Sequence, residues 1–311
     1  MVVVEPVELP EGFLDTVRAK LIEEYTSLPE ESKSLLDEVE YQSWLDDAYY
    51  FERYVKRKKG DLSATIPFLL DVLKWKKKLG LSHLTEKSFP KEFFDFGGIH
   101  VYGKDKHGNV ICHIRLRLFS KIPEILDILK KFVLFQMLKA DAEAARIARE
   151  SRSDVGWVLL FDCTGAGVAN ADMEMSNFVN TTLKNYFPYG QKYVLNHNLP
   201  WLLNAIKNVI FAMLPANVKK RIKFSNEKTL RDFIPEEQLP LYMGGSNNYP
   251  YPYVPRAVLT TSEMVKQGIL TLTSEEELRV QKYYEKVYSD VKTSNNGSSN
   301  GTRLVANDDG K

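Results

Sequence analysis

The residues of this chain best suited to chemistry are its histidines, its cysteines and the glycines that follow a strand pattern. His83, His100, His107, His113 and His197 are scattered, and no His-x-x-x-His or Cys-x-x-Cys pair of the kind that holds zinc occurs. Cys112 and Cys163 are too few for a disulfide framework. A single bridge between them is one alternative; two buried free thiols in a reducing cytosol is the reading adopted. Cys163 follows Asp162 at a predicted strand end, a place where nucleophiles do occur. A neighbouring carboxylate raises a thiol pKa, so an inert buried thiol is expected, with Asp162 accepting backbone N–H bonds to hold the loop. Gly165-Ala166-Gly167 lacks the third glycine of a dinucleotide loop and the acidic residue about 20 positions on. No Gly-x-x-x-x-Gly-Lys-Ser/Thr cradle and no Gly-x-Ser-x-Gly elbow occurs. These exclusions predict a non-catalytic protein with no metal and no cofactor.

What remains is hydrophobic. The helical segment Trp201–Leu214 carries Trp201, Leu202, Ile206, Val209, Ile210, Phe211 and Met213, apolar around most of its circumference. Asn204, Lys207 and Asn208 interrupt it, and it is too short to span a bilayer. Two readings fit: a buried core helix, or a movable lid over an apolar cavity that is greasy inside and touches membrane outside. Under the second, Ile114, Leu116, Val158, Leu160, Tyr193, Leu195 and Phe224 on the strands, with Phe178 on a helix, would line the cavity. Patterning does not separate a filled core from a lined one. The formal net charge of +1 gives no global reason to expect nucleic acid. Lys219, Lys220, Arg221 and Lys223 form a local cluster able to steer the chain to anionic membrane, each worth about 1 kcal/mol near the surface.

The elements that must hold these residues follow from periodicity. Residues 11–80 read as a helical bundle, with Ile66, Leu69, Leu70 and Leu73 on one side of a helix that Gly80 stops and whose last turn carries Lys76, Lys77 and Lys78. From Gly97 the period changes to two. Ile99 and Val101 begin a strand, a turn spans 103–109, and Cys112, Ile114, Leu116 and Leu118 alternate along the next strand with His113, Arg115 and Arg117. A long helix from about Ile122 to Ser151 precedes Trp157–Phe161, an apolar run typical of a strand buried on both faces. Helix, strand (Tyr193–Asn196), helix and strand (Arg221–Phe224) then alternate, predicting a mostly parallel sheet covered by helices. Tyr249, Tyr251 and Tyr253 interleave with Pro250, Pro252 and Pro255 in a segment expected to run extended and to offer a surface to protein partners. A last helix opens at Ser274, with Glu277 completing a capping box. The Asn/Gly/Ser-rich tail, 293–311, is expected to be disordered, and reads as a linker or the end of a truncated or free-standing module.

These segments, in this order, resemble the CRAL-TRIO family of Sec14-like lipid-binding proteins. The likeness rests on Tyr50–Trp75, Val101-Tyr102-Gly103-Lys104-Asp105, Leu160-Phe161-Asp162-Cys163-Thr164-Gly165, Asn185-Tyr186-Phe187-Pro188, Asn198-Leu199-Pro200-Trp201, Arg221-Ile222-Lys223-Phe224 and Leu239–Gly245. It implies an α/β fold with an N-terminal helical bundle (11–80) and a lipid-binding domain (93–247) whose cavity is closed by a gate at Trp201–Leu214. A Tyr/Pro-rich segment and C-terminal helix (248–292) would follow. In phosphatidylinositol-binding members a Glu and a Lys frame the inositol phosphate; the matching positions here are Tyr189 and Arg221. Arg221 keeps the cation, while Tyr189 drops the carboxylate, which argues against specific phosphatidylinositol recognition. The resemblance implies a cytoplasmic protein, peripheral at membranes, that binds one hydrophobic lipid and contacts anionic surfaces transiently. The alternative is a scaffold that keeps the fold with a filled pocket.

Overall fold

A computed structural model describes residues 7–214, 216–247 and 252–297. The N-terminal bundle consists of α1 (Phe13–Ser27), α2 (Glu30–Ser34), α3 (Glu38–Asp46), α4 (Ala48–Val55) and α5 (Leu62–Leu79). Asp37, Asp47 and Asp61 each cap a helix by accepting the N–H three residues on, from Glu40, Tyr50 and Ala64. Gly80 ends α5 at φ 68°, where a side chain would be strained. Val17, Leu21, Trp44, Leu69 and Leu73 close the bundle core with no exposed surface. Lys76 departs from the expectation of a solvated helix end: it is 4% exposed and pairs with Glu40 at 2.6 Å. Tyr50 donates to Glu40 at 2.9 Å and accepts from Lys76 at 3.3 Å, so the buried charges are paired and hydrogen-bonded.

The sheet follows α6 (Lys91–Asp95) and orders its strands sequentially: β1 (Ile99–Lys104), β2 (Val110–Arg115), β3 (Trp157–Asp162), β4 (Gln191–His197) and β5 (Ile222–Ser225). Only β1 and β2 pair antiparallel; the other pairs are parallel. β2 ends at Arg115, short of the alternation read through Leu118, because Leu116–Leu118 turns into a 3-10 helix. Two long crossovers, α7 (Leu126–Ser151) and α8 (Met173–Asn185), cover one face; α9 (Asn204–Met213), preceded by a 3-10 turn at Trp201–Leu203, and α10 (Ala216–Lys219) precede β5. Against the other face, α11 (Leu230–Phe233) and the following loop bring Leu230, Ile234 and Leu239 onto Ile111, Val158, Leu160 and Leu195.

α12 (Thr261–Lys266) and α13 (Ser274–Gly297) return to the first face. Val280, Tyr284 and Val287 are buried there, Tyr284 meets Thr261 at 2.8 Å, and Thr261 N–H donates to Glu92 at 3.0 Å. The box that opens α13 is Thr273 with Glu276, not Ser274 with Glu277: Thr273 N–H donates to the Glu276 carboxylate at 2.7 Å, and Glu277 instead accepts from Ser262. Both pairs fit the Ser/Thr-x-x-Glu spacing, and the tertiary contact decides between them. The helix runs on to Gly297, past the point where the sequence suggested disorder. Of the Tyr/Pro run, Tyr249, Pro250 and Tyr251 lie outside the described residues, as does the tail after Gly297. Tyr253 is exposed and Pro255 buried.

Bundle and sheet are joined by one buried ion pair. Arg53 on α4 reaches Asp141 on α7 through two nitrogens, at 2.8 and 2.6 Å, and its Nε donates to the Tyr189 carbonyl at 3.0 Å. Trp157 Nε1 adds a third donor to the carboxylate at 2.9 Å. Gly190 passes so close that any Cβ there would collide with the guanidinium. Replacing Asp141 by Asn strands a buried cation and is expected to cost about 3–5 kcal/mol of stability, read as a lowered urea midpoint at unchanged slope.

On the second face, His100 and His113 stack with ring centroids 4.7 Å apart beside Arg115, which lies 4.1 Å over the Tyr242 ring. Burial pushes His113 down to about 4 and His100 well below the usual imidazole range. Both are neutral in the native state, whereas unfolded histidine titrates near about 6.5. The unfolded chain therefore takes up protons that the native chain refuses. The stability held by neutral imidazoles is complete above about pH 6.5 and falls as pH drops toward 4. Urea midpoints at about pH 7.5 and about pH 5 are expected to show this loss, and His113→Gln to reduce it.

Candidate functional site

A cavity of about 210 Å³ lies between the first face of the sheet and α7, α8 and α9. Leu159 and Phe161 of β3, Val194 and Asn196 of β4, and Ile222 and Phe224 of β5 form its floor. Leu129 and Val133 of α7, and Met175, Val179 and Leu183 of α8, form one wall. Leu203, Ile206, Lys207, Phe211 and Leu214 close it from the side of α9. Asp172 caps α8 at the rim, accepting from Glu174 N–H at 2.8 Å and Met175 N–H at 3.2 Å. Asn170 locks the β3–α8 loop by donating to the Arg117 and Phe119 carbonyls.

Of the strand residues expected here, Ile114, Leu116 and Phe224 line the cavity. Val158, Leu160, Tyr193 and Leu195 do not: they point to the opposite face, where Val158, Leu160 and Leu195 pack with Leu230 and Leu239. Tyr193 there donates to Asp105 at 2.9 Å. The error is one of parity. Successive strand residues face opposite sides, and a run apolar at every position does not say which parity faces the cavity. Their neighbours Leu159, Phe161 and Val194 take the role. Phe178 is displaced in the same way, by helical rotation: Met175 and Val179 line the wall, and Phe178 sits at the edge of the core under Lys130, whose Nζ is 5.7 Å from the ring.

The segment over the cavity is not a buried core helix. Trp201 is 84% exposed, Leu202 42% and Val209 53%, while Ile206 and Phe211 face inward. The side chains of Ile210 and Met213 lie outside the described residues. Lys207, which the sequence offered only as an interruption of an apolar run, lines the cavity.

None of Tyr189, Lys219, Lys220, Arg221 and Lys223 lines the cavity. Arg221 is spent on the fold, donating from Nε to the Lys192 carbonyl and from Nη2 to Gln191 Oε1, both at 2.9 Å. Burial, with the nearby Arg57 cation, lowers it to about 10. Tyr189 N–H donates to the Arg53 carbonyl at 2.9 Å, and burial raises its phenol. Tyr189 and Arg221 precede β4 and β5, Lys219 and Lys220 lie at the end of α10, and Lys223, opposite Leu195, alternates with the cavity residues Ile222 and Phe224. Cys112 and Cys163 are buried free thiols, and Cys163 lies against the cavity. Asp162 holds its loop by accepting from Thr164 N–H at 3.0 Å. Among the described residues, no group of three or more His, Cys, Asp or Glu side chains is placed to hold a metal ion. No described helix is long and apolar enough to cross a membrane.

A mostly parallel sheet covered by helices defines a fold class, and comparison with known proteins agrees. Residues 96–245 match the family model of the CRAL/TRIO domain. The phosphatidylinositol transfer protein CSR1 of Eremothecium gossypii is 24% identical over 262 residues, covering 79% of this chain and 58% of that protein. A CRAL-TRIO domain-containing protein of Schizosaccharomyces pombe is 23% identical over 252 residues, covering 76% of this chain and 54% of that one. The chain thus spans little more than half the length of these relatives. The crystal structure of Sfh5 superposes with a TM-score of 0.57 at 14% identity, over 84% of this chain and 99% of that one. Residues 96–245 thus carry the match to the CRAL/TRIO domain, and the superposition on Sfh5 shows a shared fold.

Burial raises both thiols to about 12, with Asp162 adding to the shift at Cys163. Neither is expected to react with an alkylating reagent at about pH 8 in the native protein, and both to react on denaturation, as counted by intact mass.

Proposed function

We propose that this chain binds one amphiphilic lipid, its apolar part in the cavity beneath α9, and transfers it between membranes as a non-catalytic cytoplasmic protein peripheral at their surfaces. The observation that carries this reading is the two-sided gate. Its outer side leaves Trp201, Leu202 and Val209 in water, and its inner side presents Ile206 and Phe211 to an apolar space. Exposed apolar surface of that kind is costly unless it meets a partner, and a bilayer supplies one. The names of the matched relatives, a phosphatidylinositol transfer protein among them, point the same way. The cavity, about 210 Å³, is smaller than the roughly 300–1,000 Å³ of typical ligand pockets, so loading requires α9 to swing outward. Burial then supplies affinity at roughly 25 cal/mol per Å² of apolar surface. A lined cavity disfavours the scaffold reading, which needs a filled one. Lys219 and Lys220, at the end of the short helix that follows α9, serve as steering charges for anionic membrane, with Lys223 on the far face of β5. At finer grain, Pro200–Ala205 and Leu239–Gly245 with the Tyr/Pro run are similar to the N-terminal region of motile sperm domain-containing protein 2, and we assign the chain to that subfamily.

The test is mass spectrometry of organic extracts from protein purified from a eukaryotic host, beside Phe211→Asp. One co-purifying lipid class is expected in the wild type, reduced at least about tenfold by a carboxylate placed in the apolar wall. A blank wild type would refute lipid binding. Equal lipid in both proteins would refute the assignment of α9 as the gate.

A further inference from the structure

The gate helix turns Asn204 and Asn208 to water but carries its one charge toward the cavity. Within Asn204–Met213 the single charged residue is Lys207, and it lies on the cavity side with Ile206 and Phe211, while Trp201, Leu202 and Val209 face out. Lysine is the residue that solvent draws outward first, its stem along the surface and its head in water. Here the residue is half-buried, with Nζ 5.6 Å from the centroid of Phe224, itself part of the cavity floor. The only other charged residue lining the cavity among those described is Asp172, whose carboxylate is occupied as the cap of α8, and Lys207 makes no ion pair among the described residues.

Lys207 also lines a second, open depression, at the carboxyl ends of β4 and β5. Leu199, Lys207 and Phe224 belong to both spaces, so the apolar cavity and a polar groove adjoin across these three side chains. The groove is otherwise bounded by amides and hydroxyls, Asn198, Asn204, Asn226, Ser225 and Thr229, and by no carboxylate. From this we infer that Lys207 is the specificity-determining residue of the binding site, and that the ligand is an anionic amphiphile. Its chain occupies the cavity, and its carboxylate or phosphate lies in the groove against the Lys207 ammonium, with the amides as further donors. An ammonium beside a low-dielectric wall attracts an anion more strongly than one in bulk water, and the charge-assisted contact is among the strongest polar bonds available. The inference rests on the lipid-binding reading and sets the headgroup at the opposite end of β5 from Arg221.

Titration of the purified full chain with four fluorescent probes tests it: a fatty acid, its methyl ester, a phosphatidic acid and the matching diacylglycerol. The wild type is expected to prefer the anionic member of at least one pair. Lys207→Gln is expected to weaken that member by about tenfold and leave its neutral analogue unchanged, and Lys207→Arg to retain it. Preference within the first pair alone identifies a carboxylate ligand, and within the second a phosphate. Equal affinity of wild type and Lys207→Gln for every probe overturns the role of Lys207 while leaving lipid binding intact. Equal loss of neutral and anionic probes shows that Lys207 acts through the fold and also overturns it. A wild type that binds none of the four overturns this inference, and a blank organic extract alongside it overturns lipid binding as well.

Discussion

Asp141 sits in the middle of α7, 3% exposed, and gathers two guanidinium nitrogens of Arg53 and the indole N–H of Trp157. The donors come from the helical bundle and from the first residue of β3, and the acceptor from the crossover helix between them. Arg53 adds the carbonyl of Tyr189, just before β4. A carboxylate and a guanidinium taken out of water must find each other and their remaining partners in good geometry, or the cost of desolvation is unmet. That requirement fixes how the bundle sits on the sheet. It also fixes Gly190, because no side chain fits between the strand and the guanidinium. The bundle therefore holds the end of the β3–β4 pair whose inward side chains form the cavity floor.

The sheet divides its two faces between different tasks. The first carries Leu159, Phe161, Val194 and Ile222 into the cavity. The second, in register at the carboxyl ends of the strands, carries Arg115, Asp162, His197 and Ser225, all at most 8% exposed. His197 Nδ1 lies 3.2 Å from Ser225 Oγ, and Arg115 is covered by Tyr242. Buried polar groups hold a fold in one arrangement when they find partners, and this row does so away from the apolar space. The polar row and the apolar space thus lie on opposite faces of the sheet.

Opposed to this rigid floor is α9, whose contacts are few and whose outer apolar side chains are exposed. A short helix that buries only part of its surface is drawn from the low-stability end of a structure. Trp201, Leu202 and Val209 leave apolar surface unburied along this segment.

Much of this was legible in the sequence. Period-two and period-3.6 patterns gave the order of helices and strands, and the alternation of βαβ units gave the parallel sheet, because backbone hydrogen bonding leaves few arrangements for such a pattern. The apolar girth of Trp201–Leu214 left a core helix and a lid both open, and its exposure over the cavity is read only from the structure. Three things were decided only in three dimensions. Which side of β3 and β4 meets the cavity was invisible, since Val158 and Leu160 are as apolar as Leu159 and Phe161, and only the packing of α7 and α8 against Leu230 and Leu239 on the other side separates them. The partners of buried charges were invisible as well: Arg53 and Asp141 lie 88 positions apart, and Lys76 looked like an ordinary cation at a helix end. Lys207 read as a flaw in an apolar run and stands at the mouth of the cavity. Local pattern reports how often a residue type recurs along the chain, and so determines elements; facing and partnership depend on contacts between distant segments, which no local pattern records.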